Sequence, residues 1–271
     1  MRGGRIINDE FPMNFGRVIV LASNVFREVV RDRILYIIGF YALILAAALL
    51  LLPEFAATTE DKMFLDFGLA VMSFLGLIVA IFVGTGLINK EIEKRTVLLL
   101  IAKPLSRSEL IVGKYFGALA VLALLIVTMT VIYLGFLQFR NIPYPVASLL
   151  LAAIFLFLQL SLITAVAMTL GVFTSSLLAT ALTFAVYLVG NFTKDLLQVS
   201  RLSSNPSIGR ITQALYLVLP DLSRLDLKNE AVYGLAALPD AMSLILNAVY
   251  GLIYTILLLA IAIFIFSQRE F

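Results

Sequence analysis

The sequence contains no cysteine, no histidine and no tryptophan. Without cysteine the chain has no disulfide, no thiol nucleophile and no thiolate metal site. Without histidine it lacks the commonest general base and metal ligand. Any aromatic belt at a membrane surface has to come from its 20 phenylalanines and 10 tyrosines. Charge is scarce too: Asp, Glu, Lys and Arg make up 14% of the 271 residues, against about one-quarter in soluble domains. No G-x-x-x-x-G-K-[ST] run occurs, so no ATP-binding P-loop is written in the sequence, and energy for any work comes from another protein.

Apolar residues are abundant, at 62% of the chain, with a mean hydropathy of +1.05. A helix needs about 20 apolar residues to cross a hydrocarbon core of roughly 30 Å. Six segments are expected to do so: 34–52, 68–88, 115–137, 147–172, 175–191 and 241–266. The expected fold is an all-α integral membrane protein, a single membrane domain over residues 1–271 with six transmembrane helices. The first 33 residues carry too much charge for a cleaved signal peptide.

The net charge of +3 is sorted by side, which argues against a nucleic-acid partner. Arg2, Arg5, Arg17, Arg27, Arg31 and Arg33 precede the first span, and Lys90, Lys94, Arg95, Lys103, Arg107 and Lys114 lie between the second and third. The loop after span one has only Lys62, and that after span three only Arg140. The positive-inside rule therefore puts both termini in the cytoplasm. The long loop 192–240 carries five positives on the predicted outer side, mixed with five acids, and its length weakens its influence on topology.

No acid or base falls inside the six spans as drawn, whereas ion-coupled transporters usually keep ionisable groups at mid-membrane. The polar residues there are mild: Gln159, Ser161 and Thr164 in span four, Thr180 and Thr183 in span five, and Asn247 in span six. They fit helix–helix hydrogen bonding. The alternative is a substrate path, with Gln159, Thr164, Thr183 and Asn247 as its candidates.

Residues 15–31 have a helical period. Phe15, Val18, Ile19, Ala22, Val25, Phe26, Val29 and Val30 share one face, while Arg17, Asn24, Arg27, Glu28 and Arg31 take the other. Such a helix lies in the interface plane with its cationic side toward lipid phosphates.

Between spans two and three, helix can continue past Ile92 with Glu91 paired to Arg95, until Pro104 breaks it. Ser106-Arg107-Ser108-Glu109 then reads as a capping box that starts the next helix. Gly113 and Gly117 form a GxxxG, a candidate close-packing face. The apolar run Val97-Leu98-Leu99-Leu100-Ile101 inside this charged loop needs cover from the bundle, lipid or a partner.

These residues resemble the cytoplasmic loop of ABC-2 type ABC transporter permeases. That pattern has an acidic residue, Gly-Thr or similar and leucine, then a-x-P-x-S-R, then a G-K entering span three. Glu91, Glu93, Lys94, Arg95, Thr96, Lys103, Pro104, Ser106, Arg107 and Gly113-Lys114 match it in order, with Arg95 where glycine is common. Ser23 to Arg33 is similar to the family's elbow helix, and Leu219-Pro220-Asp221-Leu222 through Gly234 to its segment before the last span. The resemblance covers nearly the whole chain. It implies a second permease subunit, expected to be an identical copy, and two copies of a separate ABC ATPase that holds ATP and Mg. The 89–114 loop would couple the two through Glu91, Glu93, Lys94, Arg95, Thr96, Lys103, Pro104, Ser106 and Arg107. No cofactor, metal site or catalytic residue is implied on this chain, and the implied location is a prokaryotic plasma (inner) membrane.

In the outer loop 192–240, Asn205-Pro206 and Leu219-Pro220-Asp221 are breaks, and 211–219 is apolar but too short to span. It reads either as a re-entrant helix that caps the bundle or as an ordinary surface loop. The expected function is an ATP-driven exporter of an amphipathic or lipid-like substrate. The alternative is a mechanical relay to an extracytoplasmic accessory protein. An intramembrane enzyme is disfavoured by the lack of acid or histidine at membrane depth, and a channel by the lack of a filter-like loop.

Overall fold

The computed structural model describes residues 14–55, 60–93, 106–192 and 219–268. Among them there is no strand. The helices are α1 (Phe15–Val29), α2 (Leu35–Phe55), α3 (Glu60–Glu93), α4 (Arg107–Phe139), α5 (Val146–Phe173), α6 (Ser176–Asn191), the short α7 (Lys228–Ala231) and α8 (Ala241–Gln268). One π-helical turn, Val30–Ile34, joins α1 to α2. The added residue of such a turn shifts the apolar stripe of one helix relative to the next.

Among the described residues, five helices are long and apolar enough to cross a membrane: 35–54, 60–88, 107–139, 146–173 and 241–268. The expected fifth span is α6, whose 16 residues reach about 24 Å at 1.5 Å per residue, short of a bilayer core of roughly 30 Å. Its far end abuts Pro220. A Cβ on Gly190 would lie 2.8 Å from the Pro220 carbonyl oxygen. The end of α6 is thus packed against the segment that begins at Pro220. Span two is longer than drawn, because Glu60 and Asp61 open α3 in a first turn that favours acids.

α5 is the central helix, buried along most of its length and touching α3, α4, α6 and α8. The core gathers Tyr41, Leu45, Met72, Leu125, Tyr133, Leu160 and Ile163 from four helices. Buried phenols supply cross-helix bonds: Tyr133 Oη donates to the Leu65 carbonyl at 2.8 Å and Tyr41 Oη to that of Gly68 at 3.2 Å. Such bonds and close packing hold helices together where lipid removes the hydrophobic drive.

α1 lies along α4 in the groove of the two glycines. Gly113 faces Leu21 and the Val18 carbonyl, and Gly117 faces Val25 and the Ala22 carbonyl. The face of α1 packed on α4 is therefore centred on Val18, Leu21, Ala22 and Val25, one part of the apolar arc read in the sequence together with Leu21. Phe15 and Ile19, on the same arc, are 75% and 67% exposed on the flank. The reason is geometric: a helix with glycine at i and i+4 lets backbone approach only along its own line, so the α4 groove selects which side of α1 docks.

This packing predicts opposite signs for two substitutions of one kind. On Gly117 a Cβ would come 2.6 Å from Val25 Cβ and 2.9 Å from the Ala22 oxygen, too close to backbone to accommodate. Gly117→Ala should lower thermal stability by the ~1–3 kcal/mol of an overpacked contact. Gly135, on the same helix, has nothing within 4 Å of its would-be Cβ. Gly135→Ala should raise stability by ~0.5–1 kcal/mol through helix propensity. Melting temperatures of both variants in one detergent check this, and equal shifts would contradict the groove.

Candidate functional site

The first two turns of α4 form a junction. Ser106 is the N-cap, its hydroxyl accepting from Glu109 N–H at 3.2 Å, while the Ser106 N–H donates to Glu109 Oε2 at 2.9 Å. The expected capping box is present. Its carboxylate does a second job. Glu109 Oε1 accepts from the Asn14 N–H at 2.7 Å, at the start of α1. Asn14 is itself the N-cap of α1, its side chain accepting from Gly16 N–H at 2.9 Å. Glu109 has no exposed surface, and the Arg17 guanidinium stands 3.8 Å from Oε2. One buried carboxylate thus serves the positive ends of two helices.

The neighbours extend the pattern. The Arg107 guanidinium donates to the carbonyls of Phe266 at 3.0 Å and Ser267 at 2.8 Å, in the last turn of α8. The Lys114 ammonium, 5% exposed, donates to the Leu87 carbonyl near the end of α3. Arg107 thus meets the carbonyl-bearing end of α8, where positive charge is favoured, while Lys114 bonds to a carbonyl within α3, six residues before its end. Residues 107, 109 and 114 therefore hold α8, α1 and α3 to α4.

Of the residues expected to couple to an ATPase, Ser106 and Arg107 sit in this junction. Glu91 and Glu93 fall in the last turn of α3. Lys94, Arg95, Thr96, Lys103 and Pro104, with the apolar run 97–101, lie outside the described residues. Asn14 and Lys114 were not singled out as functional in the sequence. An asparagine just before a periodic apolar segment was a readable N-cap signal for Asn14.

At the opposite end, residues 220–238 fold back into the bundle. Leu222, Leu225, Leu227, Ala231 and Val232 are buried. Neutral groups from three helices, α5, α6 and α8, bond to the segment or to each other beside it. Gln159 Nε2 donates to the Leu222 carbonyl at 3.3 Å and to Asn191 Oδ1 at 3.1 Å. Ser148 Oγ donates to the Ala231 carbonyl at 2.6 Å, and Tyr250 Oη accepts from Asp221 N–H at 2.8 Å. Below it lies a cavity of about 10 Å³, room for one water, lined by Ser73, Gln159, Asp226 and Lys228 among others. The cap expected at 211–219 lies outside the described residues up to 218; the described segment that caps the bundle is 220–238. Asp240 then opens α8: hydrogen bonds from the Ser243 hydroxyl and N–H hold its carboxyl below the ordinary range.

The candidate path residues are dispersed. Thr164 and Thr183 are fully buried, each donating to the carbonyl four residues earlier, Leu160 and Ala179. Gln159 belongs to the cap just described, and Asn247 is half-buried on α8. The larger spaces are lateral and apolar. One of about 380 Å³ opens between α3 and α6, bounded by Phe74, Ile78, Phe82, Leu177 and Phe184. Another of about 550 Å³ opens among α1, α2 and α3, bounded by Ile34, Ile37, Ile78, Phe82 and Leu87, with Glu28 at its edge.

If Gln159 clamps the 220–238 segment, Gln159→Leu leaves the buried Leu222 carbonyl without that donor, a loss of ~1–3 kcal/mol. The native chain has no cysteine, so Ala231→Cys is a clean reporter at a position with no exposed surface. Maleimide labelling of that cysteine should speed up on the order of tenfold in the Gln159→Leu background. An unchanged rate would remove Gln159 from the clamp.

A search of curated proteins finds no match to the chain. A family profile described as ABC-2 family transporter protein matches residues 19–271, from α1 through the junction and the outer segment to the end of α8. The chain belongs to the ABC-2 family of transporter proteins.

Proposed function

We propose that this transmembrane subunit of an ABC transporter is the path and lever of an exporter for an amphipathic or lipid-like substrate. The observation that carries the reading is the junction at residues 106–114, which ties α1, α3 and α8 to the first turns of α4. A separate ATPase that grips the adjoining 89–106 loop would act on all four helices at one place. Arginines and lysines concentrate at this end of the bundle, which places it in the cytoplasm by the positive-inside rule, with both termini. The complex is two copies of this chain with two ATPase subunits, in a prokaryotic plasma membrane. ATP and Mg belong to the ATPase. The two lateral clefts, apolar and open toward the lipid side, suit a substrate with a long apolar part.

A mechanical relay is the second reading, favoured by the 220–238 segment. It is bonded to α4's neighbour α5 through Gln159 and Ser148 and to α8 through Tyr250, so helix motion would reach an accessory protein docked there. Substrate-stimulated ATP hydrolysis separates the two: an exporter has it and a relay does not.

The first experiment is a gentle-detergent pull-down of the chain, with Glu91→Lys plus Arg95→Glu as the control. An ABC ATPase should come down with the native chain and be lost from the charge-reversed one. Absence of an ATPase from the native sample would remove the energy source and the reading with it.

A further inference from the structure

We propose that Glu109 and Arg107 are positioning residues that divide a displacement of the α4 N-terminus between two helices, Glu109 carrying it to α1 and Arg107 to α8. The inference rests on the ATPase-driven reading above and adds to it which side chains carry the motion, and where each one sends it.

The geometry argues for division. Residues 107 and 109 are two apart on a helix, so their side chains leave α4 in directions about 200° apart. Glu109 reaches Asn14, 95 residues earlier in the chain, and Arg107 reaches Phe266 and Ser267, some 160 residues later. The hydrogen bonds described from the start of α4 reach α1 through Glu109 and α8 through Arg107, so the polar ties to the two helices leave from different side chains, and the Gly113–Gly117 groove adds packing to the α1 tie. Both links are stiff. Glu109 has no exposed surface, and its oxygens are fixed by N–H donors from two helix starts. Releasing the Asn14 link would take one of the N–H donors from a carboxylate that has no exposed surface, and a buried charge is costly to leave short of partners, so α1 is drawn along with α4. Arg107 makes two bonds to successive carbonyls, a fork that fixes direction as well as distance.

Lys114 ties α3 at the same level but three residues before Gly117, in the part of α4 where α1 also packs. Its link therefore moves with α1 and cannot act as a third independent branch. The two residues nearest the helix start are the ones that separate the branches.

The absence of cysteine makes spin-label distances direct. Val20 on α1, Phe264 on α8 and Ile154 on α5 are all exposed and make no contact in the junction. The labelled pairs are Val20→Cys with Ile154→Cys, and Phe264→Cys with Ile154→Cys. They are measured in membranes that also contain the ATPase, with and without ATP. In the native background ATP should shift both distances. Glu109→Gln should abolish the shift at residue 20 and keep that at 264; Arg107→Gln should do the reverse. Distances without ATP that equal the native ones show that a variant is folded. Should Glu109→Gln fail this, Asn14→Pro removes the N–H that reaches Glu109 and leaves the carboxylate and the α4 cap in place. If both variants keep both shifts, or each loses both together, the division is wrong while the driven reading stands. If ATP moves neither distance in the native background, the driven reading falls and this inference falls with it.

Discussion

A carboxylate with no exposed surface has to be satisfied by the protein itself, and in this chain that demand fixes where α1 can be. Glu109 is buried completely, and transferring an unpaired charge out of water is among the costliest steps in folding. Two of its donors are N–H groups that helix starts leave without an internal partner. The solution is mutual: α1 and α4 each have an orphan donor, and one carboxylate takes both. Neither helix end is complete without the other, so the amphipathic helix is locked to the bundle as well as lying at its surface. The glycine groove then follows, because a helix pinned at Asn14 can run along α4 only if Gly113 and Gly117 let the backbones approach. Arg107 obeys the same rule with opposite sign, set on the carbonyl-bearing end of α8, and the buried Lys114 ammonium is satisfied by the Leu87 carbonyl of α3.

The far end of the bundle is built with different chemistry. Gln159, Asn191, Ser148 and Tyr250 hold the 220–238 segment through neutral bonds to backbone and to each other. A neutral bond contributes ~1 kcal/mol net, and one to a charged group ~1.5–3. Charge is present here too, but it is kept within the segment or laid on aromatic rings: Asp221 pairs with Arg224 and Asp226 with Lys228, while Lys62 lies over the Tyr233 ring and Arg224 over that of Tyr250. At the α4 junction, by contrast, charged side chains reach from one long helix to the backbone of another.

The sequence made the membrane class, most of the helices and the capping box legible because each rests on local signals: apolar length, helical period and the spacing of serine and glutamate. Glu109 was readable as a cap for α4, since its partner lies three residues away. Its bond to Asn14 was not, because nothing in a single sequence relates two residues 95 apart. The same holds for Arg107, which sits in a motif yet binds the end of the last helix. The apolar arc of α1 was readable from its period, but periodicity does not say which part of it meets protein: Val18 and Val25 pack on α4, while Phe15 and Ile19 are left to the outside. The short α6 followed from a composition that continues apolar up to Asn191 without revealing that the helix ends against the segment that begins at Pro220.

Polar residues in the spans divide by whether they can satisfy themselves. A threonine hydroxyl reaches the carbonyl one turn back, and Thr85, Thr164, Thr180 and Thr183 all do so. Such residues cost little in lipid and carry little information about a path. A glutamine has no such local solution for its amide N–H groups, so Gln159 reaches across to Asn191 and Leu222. The informative lining is instead apolar. Ile78 and Phe82 on α3 border both lateral clefts, so α3 is their common wall. The same helix accepts the Lys114 bond at Leu87, and Leu87 itself borders the cleft among α1, α2 and α3, so the buried ammonium is bonded to a residue that lines a cleft, on the helix that both clefts share.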